Sequence, residues 1–75
     1  MELTAAQCRA ARALLSISQQ ELADASAVSK RTIAAFELGG NVLPAMRAAL
    51  QGALEAAGVE FIPENGGGAG VRLKK

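Results

Sequence analysis

Short polar residues recur along this chain at the places where a helix would begin, and they limit its fold more than any other feature. Thr4 with Gln7, and Ser18 with Glu21, form the spacing in which the first residue's side chain and the later one's cap each other's backbone N–H. Ser29 opens a third segment. Pro44 suits the first turn of a fourth, because that position has no N–H bond to lose. Apolar spacing follows each start. Cys8, Ala11 and Leu15 share one face of a helix over 5–15, and Leu22 and Ala23 point inward from the second. Met46, Leu50, Leu54 and Ala57 line the helix that runs from Pro44 to Gly58. The third helix, Lys30 to Glu37, ends at Gly39-Gly40-Asn41, residues that accept positive φ. The fold class expected is mainly α, with four helices around one core.

Composition sets what holds such a bundle. The chain has 75 residues, near the lower limit for a single apolar core. It is 51% hydrophobic but 3% aromatic, so Ala, Leu, Ile and Val must fill the interior. An Ala-rich core buries little area per residue, which favours a second subunit as added stabilisation. One cysteine and no histidine exclude a disulfide framework and the usual zinc sites, so no metal or cofactor is expected. Cys8 is expected in the core, with no base to activate it. No nucleophile–base pair or carboxylate cluster suggests catalysis, and the expectation is a non-enzyme. No apolar run is long enough to cross a membrane and residues 1–15 lack a signal-peptide layout, so a cytoplasmic setting is expected.

After Gly58 the pattern changes, which divides the chain into 1–58 and a C-terminal segment, 59–75. Val59 to Ile62 and Val71 to Leu73 alternate like strands, with a Gly-rich connection between them. They can pair as an antiparallel hairpin that lies on the bundle, or pair with another subunit. The run Gly66 to Gly70 lacks the Lys-Ser/Thr of a phosphate-binding P-loop and opens no helix. Arg72, Lys74 and Lys75 make a basic tail, either solvated or touching a nucleic-acid backbone.

The second and third helices carry the functional signal. Ala23 is small enough for a close helix crossing, Ala27-Val28 supplies a small residue then an apolar one in the turn, and Ile33 and Phe36 anchor the third helix inward. Lys30, Arg31, Ala34 and Ala35 are left at its outer or leading surface. Cations at a helix N-terminus oppose the dipole by roughly 0.3–1 kcal/mol, so two of them there point to a use beyond stability. The net charge is only +1, so any affinity for DNA must come from local placement.

Gln19, Leu22, Ala23, Val28, Ser29, Ile33 and Glu37, in that spacing, resemble the lambda-repressor/Cro-like (XRE-type) helix-turn-helix regulators over about residues 3–57. The resemblance implies a compact four-helix domain with a short C-terminal strand pair. It also implies sequence-specific binding of double-stranded DNA as a homodimer, as in a bacterial or phage repressor. By resemblance, Gln19 contacts phosphate, and Lys30 and Arg31, beside the cap Ser29, reach base edges. Thr32 lies nearby, and Ala35 offers an apolar contact. Arg12 and Glu37 match an ion pair that ties the first helix to the third. The sequence departs from the family pattern where Ala27 and Ser16 replace glycines and Ser26 replaces an apolar residue. Ala27 is strained if its φ is positive. The dimer surface is expected at helix 4 and the strands, with Leu54, Phe61 and Leu73 as candidates. The alternative function is a protein-interaction module, an antitoxin or anti-activator, whose C-terminal segment binds a partner protein.

Overall fold

In a computed structural model that describes residues 1–74, the chain runs α1 (Ala5–Leu15), α2 (Gln19–Ser26), α3 (Lys30–Glu37), α4 (Pro44–Ala57), β1 (Val59–Ile62) and β2 (Gly70–Leu73). Both expected capping boxes form. Thr4 Oγ1 accepts from Gln7 N while Gln7 Oε1 accepts from Thr4 N, each at 3.0 Å. Ser18 Oγ accepts from Glu21 N at 3.0 Å, and Glu21 Oε1 accepts from Ser18 N at 2.8 Å. Ser29 Oγ accepts from Thr32 N at 3.1 Å, while α4 starts on Pro44 with no side-chain cap. Helix ends follow the same local logic. Gly39 takes φ 102°, and the Gly40 N–H closes on Ala35 O at 2.9 Å, where a Cβ on residue 40 would collide with that oxygen. Lys75, part of the expected basic tail, lies outside the described residues.

The core draws on all four helices and β1, with Val71 of β2 packed against it. Leu3, Cys8 and Ala11 meet Leu22, Ala23 and Val28, then Ile33, Phe36, Leu50 and Leu54, with Val59 and Phe61 closing it from the hairpin. Leu15, expected to be buried, is only partly so and packs at the edge of this cluster. Ala57 is exposed, against the expectation that α4 buries it. Gly58, at φ 121°, turns the chain there, and Val59 at 0% exposure fills the core beyond the helix.

The two strands pair within the chain. They are antiparallel, in the register Val59↔Leu73, Glu60↔Arg72, Phe61↔Val71 and Ile62↔Gly70. One buried side chain fastens this hairpin to α1: Gln7 Nε2 donates to Gly70 O at 2.9 Å and to Ile62 O at 3.4 Å. Gln7 thus caps its own helix with Oε1 and holds the hairpin with Nε2, and it is 3% exposed. This docking changes the status of two expected dimer residues. Leu54 is fully buried and Phe61 nearly so, both inside the chain's own core, because alanine-rich helices leave volume that only such large side chains can fill. Leu73 alone of the three is exposed. Among the described residues no helix is long and apolar enough to cross a membrane.

Among the described residues two non-glycines occupy the left-handed region, Ser16 at φ 57° and Ala27 at φ 62°, the two positions where the resemblance led glycine to be expected. For an L-residue this conformation costs roughly 1–2 kcal/mol. The extra chain entropy of glycine offsets about half of that. Ala27→Gly should therefore raise stability by up to about 1 kcal/mol, several degrees in melting temperature for a domain of this size. The same change at exposed Ala10, mid-α1, should lower stability by about 1 kcal/mol. Thermal unfolding followed by circular dichroism measures both, and a lower melting point for Ala27→Gly would contradict the strain.

Candidate functional site

The α2–α3 unit is set by a short turn whose backbone groups are accounted for locally. Ala27 N donates to Ala23 O at 2.9 Å. Ser26 Oγ donates to Leu22 O at 2.7 Å and accepts from Val28 N at 3.2 Å. A serine in place of an apolar residue thus closes the turn by hydrogen bonding. Val28 is buried beneath it, and Ile33 and Phe36 anchor the inner side of α3. With that side committed, Lys30, Arg31 and Ala35 are exposed, and Thr32 and Ala34 half-buried.

The cations divide sharply by partner. Arg12 is paired with Glu37 at 2.7 Å, Arg47 with Glu2 at 3.1 Å and Arg72 with Glu60 at 3.2 Å. Arg47 also lies 5.5 Å over the Phe36 ring. Arg9, an exposed residue of α1, donates from Nη1 to the backbone carbonyl of Glu37 and so caps the end of α3. Among the described residues Lys30 and Arg31 have no carboxylate or hydrogen-bond partner. They are the two adjacent cations at the leading end of a helix, which is the arrangement that presents positive charge to an external anion.

Behind them lies a buried polar centre on Glu37, which is 3% exposed. Arg12 meets it bidentately, Nε to Oε2 and Nη2 to Oε1, both at 2.7 Å. Gln19 Nε2 donates to Oε1 at 3.0 Å, and Cys8 Sγ to Oε2 at 3.2 Å. Arg12 Nη1 further reaches Ile17 O at 3.1 Å, holding the loop before α2. Burial by itself pushes the Glu37 carboxyl up, but the hydrogen bonds from Arg12, Gln19 and Cys8, with the charge of Arg12, hold it below its ordinary value. The bond to Glu37 raises Arg12 further, against the effect of burial. Burial, then the bond and charge of Glu37, push the Cys8 thiol up to about 12, so it stays a neutral donor at physiological pH.

The expected site residues therefore fall into distinct groups. Lys30, Arg31 and Ala35 share the open surface of α3. The Ser29 hydroxyl is engaged in the cap, accepting from Thr32 N and donating to Thr32 Oγ1 at 2.8 Å. Gln19 gives one amide proton to Glu37 and keeps its other polar atoms without a partner among the described residues. Arg12 and Glu37 form the expected ion pair. The part of Cys8 in that centre is new; its place one turn before Arg12 puts both side chains on one face of α1, and the fold brings Glu37 to that face. No family model matches this chain, and no curated protein matches it either.

Arg12 is 20% exposed and Glu37 3%, so the pair lies between the surface limit of about 0–1 kcal/mol and the buried limit of about 3–5 kcal/mol. Arg12→Ala should destabilise by about 2–4 kcal/mol in chemical denaturation, since it leaves a buried carboxylate with only neutral donors. A folded-state value lower than the unfolded 4.5 means that Glu37 contributes stability above about pH 4.5 and loses it as pH falls through the folded value. Glu37→Gln should accordingly flatten the acid limb of the stability–pH curve, and an unchanged acid limb would contradict the assignment.

Proposed function

We propose that this protein is a sequence-specific DNA-binding transcriptional regulator of the lambda-repressor/Cro-like helix-turn-helix type, a binding protein and not an enzyme. The observation that carries the reading is the pair Lys30 and Arg31, exposed and unpaired at the head of α3, while Arg12, Arg47 and Arg72 are held by carboxylates. In this reading α3 enters the major groove. Arg31 forms paired hydrogen bonds with guanine O6 and N7, Lys30 contacts a second base edge or a phosphate, and exposed Ala35 meets a thymine methyl. The starts of α2 and α3 supply backbone N–H groups to phosphates, and Gln19 adds its remaining amide proton.

A near-neutral chain gains little from long-range attraction, so affinity in this reading comes from two copies on two-fold-related half-sites about one helical turn apart. Occupying a promoter in this way represses by exclusion. The alternative, a protein-interaction module, rests on the free outer side of β2, where Leu73 remains exposed.

The test is selection of a binding site from random duplex DNA, followed by Lys30→Ala and Arg31→Ala on the selected site. Each substitution should cost about 1–3 kcal/mol and relax preference at the contacted position, and wild-type affinity should fall steeply with salt. Both residues lie on the surface, so folding should be unaffected. Unchanged binding by both variants would overturn the placement of α3 in the groove.

A further inference from the structure

We propose that the outer edge of β2 is a docking site for an extended segment of a partner protein, one that alternates acidic and apolar residues and adds as a third strand. The ladder between β1 and β2 shows which backbone groups remain to be paired. Lys74 N donates to Gly58 O at 2.8 Å, which makes Gly58 and Lys74 a hydrogen-bonded pair of the antiparallel register. Bonded and non-bonded pairs alternate from there, so Arg72 faces Glu60 with its backbone bonds, whereas Val71 and Leu73 turn their N–H and C=O groups away from β1. No hydrogen bond joins those outward groups to anything among the described residues. The opposite edge of the hairpin is not comparable, because Val59 is completely buried and Phe61 nearly so.

Side chains along this open edge specify the occupant. Leu73 pairs across from buried Val59, yet it is 45% exposed, which leaves an apolar position beside partly buried Val71 for an incoming apolar side chain. Arg72 and Lys74 alternate with these onto the other face. Arg72 meets Glu60 across the strand pair, and Lys74 has no carboxylate partner among the described residues. A strand with acidic residues on that face and apolar ones on the other satisfies the charges, the apolar surface and the backbone together.

A second copy of β2 fits poorly. Two-fold pairing centred on Arg72 sets that cation opposite itself, and pairing centred on Leu73 sets it opposite Lys74. Centring on Val71 avoids both clashes but places Leu73 against Ala69, outside the strand. This site deepens the partner-binding alternative and does not depend on DNA binding by α3.

The full chain, titrated with a short synthetic peptide of alternating Val and Glu, tests the proposal by amide NMR. The amide protons of Val71 and Leu73 should shift and become protected from exchange. Binding should weaken with salt, and a Val/Lys peptide of the same length should not bind. Lys74→Glu should weaken the Val/Glu peptide about tenfold or more, as expected for turning a favourable charge contact into a repulsive one. Val71→Pro removes an N–H that the hairpin does not use, so it should abolish binding while leaving β1–β2 paired. If that variant does not fold, the Lys74→Glu and Val/Lys results still decide. Three results overturn the proposal: no shift at Val71 and Leu73 with millimolar peptide, equal binding of both peptides, or concentration-dependent self-association that protects the same amides. DNA binding by Lys30 and Arg31 variants is measured separately, so failure of one reading leaves the other standing.

Discussion

A single buried carboxylate ties the three N-terminal helices into one arrangement. Glu37 stands at the end of α3 and receives Arg12 and Cys8 from α1 and Gln19 from α2, with the Arg9 side chain on its own carbonyl. Such a group is costly to bury alone, and it is tolerable because each oxygen has at least two donors. The consequence for the surface is indirect but specific. With one end of α3 locked, and Ile33 and Phe36 holding its inner side, Lys30 and Arg31 at the other end are carried on a rigid support. That arrangement lets a small chain of almost no net charge present a local cationic point.

The second constraint is volume. A chain rich in alanine and almost free of aromatic residues has few side chains able to fill the space beneath α4 and the hairpin. Leu54, Val59 and Phe61 are used there, and the strands dock on their own bundle. A two-stranded hairpin has little stability by itself. Gln7 supplies the polar anchor, and Val59 and Phe61 the apolar one. What remains outside is the far edge of β2 with Leu73, so the open surface of the C-terminal segment is narrower than its sequence suggests.

Much of the scaffold is legible in the amino-acid order because its signals are local. Thr4, Ser18, Ser29 and Pro44 each act within one turn of helix, and Gly39 and Gly58 stop helices through their own backbone freedom. The exposure of Lys30 and Arg31 follows from the same periodicity once Ile33 and Phe36 are assigned inward. The Arg12–Glu37 pair is legible only through resemblance, since its partners stand 25 residues apart with no local pattern linking them. Ala57 and Leu15 show the limit of periodicity: it ranks faces of a helix, but not where along its length the core ends.

The sequence by itself therefore determined the number, starts and ends of the helices, the strand segments, and the cationic head of α3, because capping, glycine stops and helical spacing act between near neighbours. Only the tertiary structure decided that Leu54 and Phe61 belong to the core rather than a subunit surface, since an apolar side chain has the same pattern in either place. It alone decided that Gln19 and Cys8 share Glu37 with Arg12, and that Gln7 reaches Gly70, 63 residues away. Those bonds exist only after packing has brought distant segments within about 3 Å, a distance that no local sequence preference encodes.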